Sequence, residues 1–156
     1  MRMIDGRTAD DSRNGTTELL QTAGFPAARI AMTVDPRWTT PEGVAGFVAS
    51  PPNDVLMRFP AGMVPGHDAP VAVDIGCGAG RNAVALALDG WRVMGTDLSW
   101  PMLAGAARRK REEAPDARLL FAHAPMEALP VPSACAELVV AHGIWNVAGS
   151  WGQFPP

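Results

Sequence analysis

Two carboxylates, three glycines and a histidine occupy the positions of this 156-residue chain best placed for chemistry. Asp74 stands two residues before Gly76, and Gly76, Gly78 and Gly80 alternate with Cys77 and Ala79. Glycine has no Cβ, so it lets a ligand come close to the backbone. A second acid, Asp97, follows 23 residues after Asp74. A carboxylate there accepts from two hydroxyls at once. His142 is the side chain best suited to take a proton or to orient a reacting group near neutral pH. Cys77 has two readings, a small filler of the glycine loop or a nucleophile activated by a helix N-terminus. The pattern names no metal ligands.

These residues need elements to hold them. Val71-Ala72-Val73 is a short apolar run that reads as a buried strand, with Asp74 and Ile75 after it. From Arg81 the apolar residues fall at helical spacing, with Ala83, Ala87 and Leu88 on one side and Val84 and Leu86 widening the stripe. A strand that turns through glycines into a helix aims unpaired N–H groups, and the positive end of the helix dipole, at a ligand. Asp89-Gly90 ends this helix, and Trp91–Thr96 reads as a second strand closed by Asp97. Ser99 caps a helix from Trp100 to about Ala114, with Pro101 in its first turn. Ala117–Ala122 reads as a third strand, His123–Pro132 as a loop, and Glu137–Ala141 as a fourth strand parallel to the first. Upstream, Thr16–Ala23 reads as a short helix. Thr40-Pro41-Glu42 opens another that ends before Pro51-Pro52. Asp54–Met63 is a third, which Pro60 should break or kink. Pro65-Gly66-His67-Asp68 is a connecting turn. The expected organisation is a flexible arm over 1–15, a helical segment over 16–68 and a partial α/β domain over 69–156.

The glycine spacing separates two ligand classes. A dinucleotide fingerprint, G-x-G-x-x-G, needs glycine where Arg81 stands. The order Ala72-Val73-Asp74-Ile75-Gly76-Cys77-Gly78-Ala79-Gly80 instead resembles the first motif of class I S-adenosylmethionine-dependent methyltransferases, and Gly95-Thr96-Asp97-Leu98-Ser99 resembles their second. The resemblance implies a Rossmann-like parallel sheet flanked by helices, of whose seven strands the first four can be read here. It implies S-adenosylmethionine as cofactor. Asp74 would then act near its amino-acid half, Gly76, Gly78 and Gly80 would lie under the methionine and ribose, and Asp97 would bind the ribose hydroxyls. Leu98 and Met102 would hold the adenine. Met126-Glu127-Ala128-Leu129-Pro130 resembles the loop after the third strand, where an Asp usually reads the adenine amino group; Pro125, or Ala124, takes that place here. The N–H of Met126 remains as an adenine contact, and His123 stands near enough to replace the acid. Residues after the fourth strand flank the methyl group in this family. His142 is therefore a candidate catalytic base or positioning group, and Trp145 and Asn146 are candidates for the acceptor pocket. The Asn-Pro-Pro-aromatic sequence of amino- and base-directed enzymes is absent, and Ala141-His142-Gly143-Ile144 stands there, which disfavours DNA adenine methylation.

Composition narrows the partners. The net charge is −3, so nothing draws the chain broadly to nucleic acid or an anionic membrane. Arg108–Glu113 reads as a solvated helix end. No apolar run is long enough to span a bilayer, and the N-terminus lacks a secretory apolar region, so a cytoplasmic location is expected. Cys77 and Cys135 fall at opposite ends of neighbouring parallel strands, too far apart for a disulfide, and read as free thiols. The expected partner is a small-molecule acceptor. A fourth strand with no fifth is an open sheet edge, which invites self-association. The leading function is methyl transfer from S-adenosylmethionine to a small molecule. The alternative is a truncated, non-catalytic cofactor-binding or interaction module. A nicotinamide-dependent oxidoreductase is opposed by Asp74 and by the Arg81 spacing.

Overall fold

In the computed structural model, which describes residues 36–63 and 69–144, four strands form one parallel sheet. They are β1 (Val71–Ile75), β2 (Arg92–Asp97), β3 (Leu119–His123) and β4 (Leu138–Val140). Their spatial order is β3-β2-β1-β4. The order reverses at β1, so the C-terminal ends of β1 and β4 flank a topological switch point, the crevice where open α/β sheets take their ligands. The register places Ala72 against Val93 and Leu138, and Val93 against Leu119. The expected helix over Thr16–Ala23, the turn at Pro65-Gly66-His67-Asp68, and Trp145 and Asn146 lie outside the described residues.

Among the described residues four α-helices accompany the sheet: α1 (Pro41–Ala49), α2 (Asp54–Ala61), α3 (Arg81–Leu88) and α4 (Trp100–Glu113). The core joins Ala72, Val93 and Leu119 of the strands to Ala83, Val84, Leu86 and Ala87 of α3, with Trp91 and Ala114. Thr40 caps α1 by accepting from the Gly43 N–H, and Asn53 caps α2 by accepting from the Leu56 N–H. Ser99 caps α4 by accepting from the Met102 N–H. Pro60 sits in the last turn of α2, and the helix stops at Ala61 rather than Met63, where the Gly62 and Met63 N–H groups turn to the Phe59 and Pro60 carbonyls.

Four expectations need correction. β3 begins at Leu119, two residues late, because the Ala117 N–H turns back to the Ala114 carbonyl. It also takes in His123, which pairs with Asp97 and so does not begin a loop. Leu88 is 60 % exposed, whereas Asn82 is buried. The Oδ1 of Asn82 accepts the Asn53 N–H at 2.9 Å, so a tertiary contact, and not hydropathy, decides which residue of α3 is covered. Arg109 is no part of a solvated end. It is 8 % exposed, and its guanidinium donates to the Ser50 carbonyl at 2.8 Å and to Glu113 at 2.9 Å.

Candidate functional site

The three glycines of the β1–α3 turn do different work. Gly80 has φ +77, and a Cβ there would meet Ala106 at 3.0 Å and Phe121 at 3.2 Å, so this glycine lets α3 pack against α4 and β3. A Cβ on Gly76 would run into the side chain of Ile144. Of the three only Gly78, at φ +53, has no described residue within 4 Å of where a Cβ would be. The bare backbone a ligand needs is therefore at Gly78.

Two carboxylates frame this turn. Asp97, half-buried at the end of β2, accepts the Gly78 N–H on Oδ2 and the Ser99 N–H on Oδ1, each at 2.8 Å. It ties the glycine turn to the cap of α4. Asp74, at 2 % exposure, accepts from the Ala83 N–H, while its Oδ2 is buried without a partner among the described residues. Burial, reinforced by the charge of Asp97, pushes its carboxyl up to about 7 against the opposing pull of Arg81 and the Ala83 hydrogen bond. Cys77 is also buried. Burial, then the charges of Asp74 and Asp97, push its thiol well up, so desolvation outweighs the helix terminus and the nucleophile reading loses its physical basis. Cys77 and Cys135 are both free thiols.

The remaining candidates line the C-terminal edge of the sheet. Leu98 is half-buried, and its carbonyl lies 2.9 Å from His123 Nε2. The His123 ring stacks on Trp100, with centroids 4.5 Å apart and planes 3° off parallel. Met102 is fully buried and belongs to the core. Met126 is half-buried in the turn that the Ala128 N–H closes onto the Pro125 carbonyl. His142, exposed after β4, has Nε2 3.2 Å from Asn53 Nδ2 and Nδ1 3.5 Å from Arg81 Nη2. Sequence reading found His142 but missed both neighbours. Asn53 had the signature of a helix cap, and Arg81 stood out only by interrupting the glycine spacing.

Residues 72–151 match the family model described as a methyltransferase domain. No curated protein matches the chain. Among solved structures, a putative S-adenosyl-L-methionine-dependent methyltransferase from Methanococcus maripaludis is 16% identical with a TM-score of 0.52, and the match covers 98% of this chain and 58% of that one. Phosphoethanolamine N-methyltransferase 2 of Haemonchus contortus, in complex with S-adenosyl-L-methionine, is 27% identical with a TM-score of 0.52, and the match covers 64% of this chain and 25% of that one. The chain thus spans 58% or less of the length of either structure.

Proposed function

The chain belongs to the methyltransferase-domain family, and on that premise we propose that it binds S-adenosylmethionine over the glycine turn and directs its methyl group to a small-molecule acceptor. The observation that carries this reading is the pairing of an open backbone at Gly78 with the buried, unpartnered Oδ2 of Asp74. That combination fits a bulky ligand bearing positive charge: the backbone admits the bulk, and the carboxylate of Asp74 faces the charge. The Haemonchus contortus structure, which carries S-adenosyl-L-methionine, supports the choice of ligand. When bound, the cofactor supplies an electrophilic methyl group on a sulfonium.

The chain's own residues then bind and orient. Gly76, Gly78 and Gly80 shape the floor of the site, with Gly78 as the point of closest approach. Asp97 accepts from the ribose hydroxyls on the oxygen lone pairs that Gly78 and Ser99 leave open. Leu98 covers the adenine, and the Met126 N–H, which no described residue accepts, meets the ring. His142 borders the acceptor. Positioning accounts for much of the rate in a displacement at carbon, so a strong base is not required. Residues 69–156 carry this partial domain. The two free thiols support a reducing, cytoplasmic setting.

Calorimetric titration of the whole chain with S-adenosylmethionine tests the reading. One saturable site is expected, with affinity lowered at least tenfold in Asp97→Ala, since a charge-assisted contact contributes about 1.5–3 kcal/mol. A folded chain that binds no cofactor, or an Asp97→Ala variant with unchanged affinity, would sink it.

A further inference from the structure

The loop after β4 meets α2 and α3 where three nitrogen-bearing side chains converge. His142 Nε2 faces Asn53 Nδ2 at 3.2 Å, and Nδ1 faces Arg81 Nη2 at 3.5 Å. The Asn53 amide has a fixed orientation, because its Oδ1 accepts the Leu56 N–H at 2.9 Å. Its NH2 group is therefore the one turned to the ring. Both ring nitrogens face donors, yet a neutral imidazole has one donor and one acceptor. Whichever tautomer is present, one of the two contacts sets donor against donor. An acceptor oxygen that lies beside the pair, within reach of both donors, removes the conflict.

Charge points the same way. Among the described residues the guanidinium of Arg81 makes no close ion pair: its charge acts on the buried Asp74 carboxyl, and its other hydrogen bond goes to the Pro51 carbonyl at 3.5 Å. Arg81 is also the first residue of α3, whose N-cap Gly80 offers no side chain to the helix end. The dipole adds to the positive potential there. Arg81 opens the helix that follows β1 and His142 follows β4, the two strands on either side of the switch point.

We infer that Arg81, His142 and Asn53 form an oxyanion subsite that takes a carboxylate or phosphate group. This rests on reading the crevice as the cofactor and acceptor site. The oxyanion has two possible sources: the methionyl carboxylate of the cofactor, or an acidic group on the acceptor. A guanidinium fork suits either.

The test is calorimetric titration of the whole chain with inorganic phosphate, alone and loaded with S-adenosylhomocysteine or with 5′-methylthioadenosine, which lacks the carboxylate. The wild type is expected to bind phosphate saturably, with affinity at least tenfold lower in Arg81→Met and an intermediate value in Arg81→Lys. Melting curves by circular dichroism confirm that each variant is folded. If S-adenosylhomocysteine excludes phosphate, and Arg81→Met weakens S-adenosylhomocysteine but not 5′-methylthioadenosine, the subsite holds the cofactor's carboxylate. If the S-adenosylhomocysteine-loaded chain still binds phosphate through Arg81, the subsite serves an acidic acceptor. Phosphate binding that is absent, or equal in wild type and Arg81→Met with S-adenosylhomocysteine affinity also unchanged, overturns the subsite. Failure of both nucleosides to bind the wild type overturns the proposed function instead, and phosphate binding by the free chain then decides the subsite separately.

Discussion

Asp74 places a heavy electrostatic demand on the native state. Its carboxyl rises from 3.8 to about 7, chiefly because it is buried. Below the lower value both folded and unfolded chains are protonated at this group, and it contributes nothing to stability. Between about 4 and 7 the unfolded chain gives up the proton while the native chain keeps it, so stability falls as pH rises through that window. Above about 7 the full cost is present, on the order of 4 kcal/mol at the limit. Asp74→Asn keeps an oxygen for the Ala83 N–H and removes the charge. Thermal melts are therefore expected to show the variant matching the wild type near pH 4 and exceeding it at pH 8. A difference between the two proteins that did not change with pH would count against the buried-carboxylate account. The same variant is expected to bind S-adenosylmethionine less tightly, because the charge it removes is the one proposed to face the cofactor. A group that costs stability unoccupied and is relieved by a cation is arranged for binding and not for folding.

The element scale separates what could be read in the sequence from what could not. The strand–turn–helix unit was legible because its signals are local: an apolar run, glycines that permit positive φ, and a helical stripe. The division of labour among the glycines was not, since it depends on what packs above them. Gly80 faces Ala106 and Phe121, which are 26 and 41 residues away, while Gly78 faces no described residue within 4 Å. Arg109 was misread, and the burial of Asn82 left unread, for a similar reason. Both are polar, and both are buried by hydrogen bonds to the segment between α1 and α2, through Asn53 and Ser50. His123 was misplaced because strand pairing with Asp97, a non-local contact, sets the end of β3. The glycine contrast gives a direct test. Gly80→Ala combines a left-handed backbone with a 3.0 Å contact, and is expected to cost about 2–3 kcal/mol in denaturant unfolding. Gly78→Ala incurs only the conformational strain, about 1 kcal/mol, but is expected to weaken S-adenosylmethionine at least tenfold. Equal stability losses with equal binding losses would mean that the two positions are not distinct.

The whole sheet has a finished face and a less finished one. On the first, Ala72, Val93 and Leu119 are covered by α3 and α4. On the second, the register aligns Leu120, Met94, Val73 and Val139 in one row across all four strands. The inner part of that row is covered, with Val73 at 2 % exposure, but its ends are bare, with Leu120 at 53 % and Val139 at 58 %. Both ends lie on strands with one paired neighbour among the described residues, β3 and β4. An exposed apolar side chain beside unpaired backbone groups is the combination that promotes strand-to-strand association. The fourth strand is the more exposed to this, because Val139 is the barer of the two and β4 holds no polar side chain, whereas β3 ends in His123. Sedimentation velocity over a range of concentrations is expected to show reversible self-association of the wild type. Val139→Lys should weaken it severalfold while changing stability by no more than about 0.5 kcal/mol, as for other surface substitutions. Leu120→Lys at the opposite edge is the control. If it disrupts association and Val139→Lys does not, the contact runs through β3; if the wild type sediments as a monomer at every concentration, neither edge is available to a second copy.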